Sequence, residues 1–171
     1  QGKIVAIKGL GGFHLACDAT NAEAVAELRR RKLRVDKPFA LMLADLESVA
    51  AHCFISPIER NLIIARQRPV VIVLRRPDSP IAEQIAPGQH TLGLMLPYTP
   101  LHYLLFADPQ KPGMTFDMPA LVMTSGNLSE EPICTQNEEA RQRLMSLADA
   151  FLMHDRDIYT RCDDSVLRLF P

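Results

Sequence analysis

Short apolar runs alternating with helical patterns constrain this chain more than any other feature. Ile4–Ile7, Ala40–Leu43, Val70–Leu74, Leu92–Leu96, Ala120–Thr124, Ala150–Met153 and Ser165–Leu169 are all of strand length. Several are apolar at consecutive positions, the pattern of strands covered on both faces. Between them, three segments place Ser or Thr ahead of a Glu at capping-box spacing, where each side chain satisfies the other's backbone donor. They are Thr20…Glu23, Ser56…Glu59 (with Pro57 at the favoured first helical position) and Thr135…Glu138. Apolar residues follow each at helical spacing: Ala22, Val25 and Leu28; Ile58, Leu62 and Ala65; Ala140, Leu144 and Leu147. A fourth helix is expected from Thr99 towards Phe106. Strands interleaved with helices predict an α/β domain with a mixed, twisted sheet. The longest connecting tract is the Pro/Gly stretch Pro109–Gly113.

The bulk composition narrows the function classes. With 171 residues, 47 % apolar and 23 % charged, the chain has the profile of one ordinary globular domain. A net charge of −1 gives no global field to draw it to nucleic acid or membrane, so anion binding has to come from local clustering of cations. The apolar runs fall short of a membrane span. Cys17, Cys53, Cys134 and Cys162 are scattered and form no CxxC pair, which fits reduced thiols in a cytoplasmic protein and no structural metal. Gln1 in place of Met, and a strand-like run just before Pro171, lead to the expectation that residues 1–171 are a single domain excised from a longer chain.

Two distant segments have the composition of halves of one anion site. In RKLRVDKPFALML, Arg31 to Leu43, a basic helix end runs through Lys32, Arg34 and Lys37 into a loop that Pro38 holds extended. The Arg29–Lys32 run alone fits a solvated helix end complementing the dipole. The loop cations differ, because they repel one another unless an anion sits among them. In MTSGNLSEEP, Met123 to Pro132, an apolar strand ends at Ser125-Gly126-Asn127, where backbone and small polar groups approach a ligand closely. Such a tripeptide also serves as a plain turn, but strand ends are where α/β sheets bind ligands.

The glycines of Lys8-Gly-Leu-Gly-Gly-Phe-His14 lack dinucleotide-fingerprint spacing, yet they leave open backbone beside Lys8 and His14. In HDRDIYTRCDDSV, His154 to Val166, Arg161 and Ser165 are candidate phosphate contacts. One of Asp155, Asp157, Asp163 or Asp164 is a candidate for a phosphate-bound magnesium ion. His52, His90 and His102 show no metal-ligand spacing, and neither HExxH nor GxSxG occurs.

With these residues assembled, the chain resembles a YrdC-like domain, in particular the one within HypF-type carbamoyltransferases of hydrogenase maturation. The resemblance rests on KGLGGFHLACDA (Lys8–Ala19), RKLRVDKPFALM (Arg31–Met42), LPYTPLHYLL (Leu96–Leu105), TSGNLSEEP (Thr124–Pro132) and RCDDSV (Arg161–Val166). It implies a YrdC-like open twisted sheet flanked by helices, and K-x-R and S-x-N motifs that hold nucleotide phosphates: Lys32, Arg34, Ser125 and Asn127. Lys32 and Arg34 become the expected catalytic residues, and Lys37, Arg161 and Ser165 further nucleotide contacts. Lys8 and His14 are expected to line the acid's pocket. The family's threonylcarbamoyl-AMP synthases carry a PTETVYGL-type segment whose Thr helps to hold threonine. Here KGLGGFHL puts Gly11 at that place, which turns the expectation from threonine to carbamate.

The implied activity is adenylation of carbamate, derived from carbamoyl phosphate, by ATP carrying Mg2+. The implied parent chain has acylphosphatase-like and zinc-finger segments upstream and a transfer domain downstream, delivering the carbamoyl group to HypE. Two rivals are a threonylcarbamoyl-AMP synthase for tRNA modification and a double-stranded RNA-binding module. The first is opposed by KGLGGFHL, the second by near-neutral charge and the lack of interleaved aromatics.

Overall fold

The computed structural model describes residues 2–107, 110, 120–128 and 131–170. The expected connecting tract Pro109–Gly113 and the Ser129-Glu130 part of the second motif lie outside these, Gln110 excepted. Among the described residues the chain forms a mixed α/β fold on one open sheet of nine strands: β1 (Val5–Lys8), β2 (Phe13–Asp18), β3 (Ala40–Met42), β4 (Cys53–Phe54), β5 (Val70–Arg75), β6 (Thr91–Met95), β7 (Leu121–Ser125), β8 (Ala150–Leu152) and β9 (Val166–Arg168). The strand order is β4-β5-β6-β3-β7-β2-β1-β8. β9 pairs in parallel with the start of β5, on the edge whose far end takes β4. The β1–β8 and β3–β6 pairs are also parallel, and the remaining ladders are antiparallel.

All seven expected strands are present, within a residue or two at each end. Two strands are additional. β4 is only a bridge to the end of β5. β2 is central, and its polar His14 and Asp18 and small Ala16 and Cys17 break the apolar run that marks its neighbours. It follows β1 as a hairpin closed by Gly9 N–H donating to the Gly12 carbonyl at 2.8 Å.

Helices α1 (Ala22–Lys32), α3 (Pro57–Ile64), α4 (Pro100–Phe106) and α5 (Asn137–Leu144) answer the four expected, and α2 (Leu46–His52), capped by Asp45, is an addition. Ser56 and Glu59 form the full capping box. The other two boxes do not form. Thr20 gives its hydroxyl to Asp18, so Asn21 caps α1. At α5 it is Glu139, not Glu138, whose carboxylate accepts from the Thr135 N–H. Ala22 and Ile58 are exposed, and the residue buried by the Pro57–Ile64 helix is Ile63, next to the expected Leu62. On α1 the buried stripe is Ala24, Val25, Leu28, Arg29 and Lys32.

The two faces of the sheet have different roles. One carries Ala6, Phe13, Leu15, Leu41, Val71, Leu94 and Val122 in a continuous core with Val25 and Leu28 of α1 and Leu144 of α5. Each of the larger apolar side chains buried there, from Val to Phe, is worth about 1.5–3 kcal/mol. The opposite face is only partly covered, by Leu101, Leu105 and Phe106 of α4 over Ile7, Ala16, Met42, Met95 and Met123. The uncovered part of that face is where the site forms. Among the described residues no helix is long and apolar enough to cross a membrane.

Candidate functional site

The basic loop after α1 is built from within. Leu33 adopts a left-handed φ of 53° and, as C-cap, donates to the Arg29 and Arg30 carbonyls, turning the chain sharply out of the helix. Arg29 lies under the turn, and its guanidinium donates to the carbonyls of Arg34 (3.1 Å), Val35 (2.9 Å), Lys37 (3.2 Å), Gln84 and Ile85. It also covers the Phe39 ring at 4.9 Å, with Arg34 against the same ring at 4.7 Å. The loop keeps its like charges together because backbone carbonyls surround them. Arg29 and Lys32 are therefore buried rather than solvated at the helix end.

Lys32, only 2 % exposed, brings the two distant segments together. Its Nζ donates to the Ser125 and Asn127 carbonyls, both at 2.6 Å, and to Asn127 Oδ1 at 3.2 Å. Ser125 Oγ donates to the same Oδ1 at 2.7 Å. Arg34 reaches Thr124 Oγ1 at 2.8 Å and the carbonyls of Lys37 and Pro38. Burial, then Arg34, then Lys37 push the Lys32 ammonium down to about 7. Burial and Arg29 bring Arg34 to about 10. Between the halves, Gly126 N–H donates to the Phe13 carbonyl at 2.6 Å, and a Cβ at Gly126 would meet that oxygen at 2.7 Å. Only glycine lets this loop lie on β2.

Beside these groups is a cleft of about 360 Å³. Its floor is the uncovered sheet face, with Ala40, Ile72, Gly93 and Met123; its polar rim includes Arg34, Lys37, Thr124 and Ser125. Register explains the floor: Gly93 is opposite both Ala40 and Ile72, so small residues face the cleft where a flat apolar ligand would rest. Asp163, Asp164 and Val166 form the facing wall.

Asp163 and Asp164 belong to a strap, residues 160–165, which separates the cleft from a smaller one of about 250 Å³ lined by Leu10, Gly11, Arg68 and Tyr98. Cys162 N–H donates to the Gly11 carbonyl at 3.1 Å, and a Cβ at Gly11 would lie 2.5 Å from the Cys162 oxygen. Val70 N–H donates to Ser165 O at 2.8 Å. Tyr98 Oη donates to Asp164 Oδ1 at 3.1 Å and meets His14 Nε2 at 3.4 Å. His102 completes the cluster, edge-on to Tyr98 at 4.5 Å and to His14 at 6.2 Å. Burial lowers His14, opposed by Asp164 and Asp163, and burial with His14 nearby lowers His102 to about 4.

The expected residues fall into distinct places. Arg34, Lys37 and Ser125 line the larger cleft, while Lys32 and Asn127 are joined behind its rim. Ser165 lines the smaller cleft. Arg161 turns away, donating to the Ile133 carbonyl at 2.9 Å. Lys8 and His14 do not share a pocket: Ile7 pairs with His14 and Lys8 with Phe13, so the two project from opposite faces of the sheet. Lys8 ends in the core, with Nζ donating to the His154 carbonyl at 3.1 Å. Of the four candidate aspartates, Asp163 and Asp164 reach the cleft wall and Asp155 and Asp157 are not among its lining residues. No group of three or more His, Cys, Asp or Glu is placed to hold an ion among the described residues.

The sequence reading missed Arg29 and Tyr98. Arg29 could have been found, because Val25, Arg29 and Lys32 continue one helical stripe.

Comparison with known proteins gives this architecture a family. A family model described as Sua5/YciO/YrdC, telomere recombination, matches residues 1–171. Carbamoyltransferase HypF2 of Cupriavidus necator is 53 % identical over 98 % of this chain, which spans 22 % of that protein. Carbamoyltransferase HypF of Rhodobacter capsulatus is 51 % identical over 99 % of the chain, again 22 % of the relative's length. Among solved structures, full-length HypF in the phosphate- and nucleotide-bound form superposes with a TM-score of 0.87 at 51 % identity, covering 98 % of this chain and 25 % of that one. P. abyssi Sua5 complexed with L-threonine shares the fold alone, with a TM-score of 0.80 at 17 % identity, covering 98 % of this chain and 47 % of that one. The chain belongs to the Sua5/YciO/YrdC family, and the relatives it matches at about half identity are HypF carbamoyltransferases.

Proposed function

We propose that this chain adenylates carbamate, converting ATP and carbamate to carbamoyl-AMP and pyrophosphate. The observation that carries this reading is the single cluster that Lys32 makes of the basic loop and the Ser125–Asn127 turn, at the rim of an apolar-floored cleft. Arg34, Lys37 and Ser125 receive the phosphates, and the Ala40–Gly93 floor receives the base. A carbamate oxygen attacks the α-phosphorus and pyrophosphate leaves, so no covalent nucleophile is needed; positioning and charge suffice. Lys32 acts by holding the Ser125–Asn127 turn in place and adding its charge beneath it. Magnesium would come as part of the MgATP substrate and would offset triphosphate charge there; Asp163 and Asp164 are the carboxylates on the cleft wall. Carbamoyl-AMP then serves a transfer domain of a longer parent chain, with HypE as final acceptor. The nucleotide in the HypF relative of similar fold supports this reading.

Pyrophosphate release from ATP and ammonium carbamate, with carbamoyl-AMP identified by mass spectrometry, tests it. Arg34→Ala and Lys32→Ala should each lower turnover at least about a hundredfold, since removing a positioned charge commonly costs that much. Wild-type turnover in both variants, or formation of threonylcarbamoyl-AMP from threonine and bicarbonate at a comparable rate, would sink it.

A further inference from the structure

Lys37 differs from the cations around it in what its side chain is doing. Its backbone is pinned at the rim of the larger cleft: its carbonyl accepts from Arg34 Nε at 2.9 Å and from the Arg29 guanidinium at 3.2 Å, and Pro38 follows it. The side chain itself is exposed and lines the cleft, and among the described residues its Nζ has no hydrogen bond or ion pair. The other nucleophiles are excluded by place. Lys32 is not among the residues lining the cleft, and its Nζ is engaged by the Ser125 and Asn127 carbonyls and Asn127 Oδ1. Lys8 ends in the core on the far face of the sheet, and Lys3 is exposed but lines neither cleft. Cys162, an exposed thiol, lines only the smaller cleft.

Resting on the reading above, we propose that this chain carbamoylates itself at Lys37 when no acceptor takes its product. Carbamoyl-AMP is a mixed anhydride, and an unprotonated lysine amine is a nucleophile towards its carbonyl carbon. While ATP is bound, Lys37 pairs with the phosphates. Once pyrophosphate leaves, the amine loses that partner at the moment the electrophile has formed beside it. The Nζ lone pair attacks the carbamoyl carbon and a C–N bond forms. The bond from that carbon to the phosphate oxygen breaks, AMP leaves with the electron pair, and a proton passes from Nζ to water. Lys37 becomes a homocitrulline, a neutral urea, and its charge is lost from the rim. Arg34 is then the one cation among the described residues that line the cleft. ATP binds more weakly to such a cleft, so adenylation slows when carbamoyl-AMP is left unconsumed.

The test incubates the chain with ATP and isotope-labelled ammonium carbamate, with pyrophosphatase present, and reads the modified peptides by tandem mass spectrometry. Labelled carbamoyl on Lys37 should exceed that on Lys3 at least about tenfold, because amine and anhydride share one cleft. It should be missing when ATP is replaced by α,β-methylene-ATP, which cannot release pyrophosphate. Turnover of the wild type should slow as the label accumulates, whereas Lys37→Arg, whatever its initial rate, should hold that rate. Equal labelling of Lys3 and Lys37 would overturn the proposal, as would labelling of Lys37 with the methylene analogue. Carbamoyl-AMP formed over many turnovers with Lys37 unmodified, or Lys37→Arg slowing as the wild type does, would overturn it too. A wild-type chain that forms no carbamoyl-AMP at all would instead overturn the reading on which the proposal rests.

Discussion

Lys32 is a cation held where water cannot reach it, and this has a measurable consequence. Its folded pKa of about 7 lies below its ordinary 10.5, so from about pH 7 to 10.5 the unfolded chain binds a proton that the folded chain does not. Stability from this residue therefore rises with pH across that window, and the penalty for a buried charge is felt in full below it. An anion in the cleft reverses the bias by favouring the ammonium form. ATP binding at pH 8 should thus take up a proton, seen as a binding enthalpy that changes with the ionisation enthalpy of the buffer, and Lys32→Met should abolish that dependence. A buffer-independent enthalpy for the wild type would contradict it. The sequence disclosed Lys32 as a candidate but not its bonds to the Ser125–Asn127 turn, because that tertiary contact is invisible in the local pattern.

At the scale of elements, α1 is an anchor for the loop that follows it. The apolar spacing revealed the helix and its inner face, yet the stripe continues from Val25 and Leu28 into Arg29 and Lys32, where side-chain type argues for water and position argues for the core. Position prevails because five backbone carbonyls lie within reach of the Arg29 guanidinium. Strand β2 was obscured for a related reason: His14 and Asp18 are polar, yet the strand pairs on both sides and is buried along most of its length. The glycines at 11 and 126 read as backbone left open to a ligand, and the structure makes them seats for other backbone segments. Arg29→Leu should destabilise the fold by about 2–4 kcal/mol, since several buried acceptors lose their donor together. Amide exchange at residues 33–37 should accelerate well beyond that of the sheet. Protection unchanged in the loop would show that the turn holds itself.

Over the whole molecule, the binding face is completed by the part of the chain that contributes least to its stability. β9 is exposed throughout, pairing in parallel with the edge of β5, and the strap before it is held mainly by hydrogen bonds to Gly11, Tyr98 and Val70. The main core instead lies on the opposite face of the sheet, against α1 and α5. Removing residues 160–171 should therefore leave a folded protein: little apolar area is exposed, so the midpoint of thermal unfolding should fall by only a few degrees, as for a loss of about 1 kcal/mol. The same truncation takes Asp163, Asp164 and Val166 from one cleft and half of the lining from the other. ATP affinity should fall at least about tenfold, because a wall that excludes water and contacts the ligand is lost along with its hydrogen-bonding groups. A truncated chain that keeps wild-type ATP affinity would place the nucleotide elsewhere, whereas one that fails to fold would show that the strap supports the sheet rather than the cleft alone. The expected pattern, a near-native melting curve with nucleotide binding lost, is the one that follows when a scaffold and its site draw on different parts of the chain.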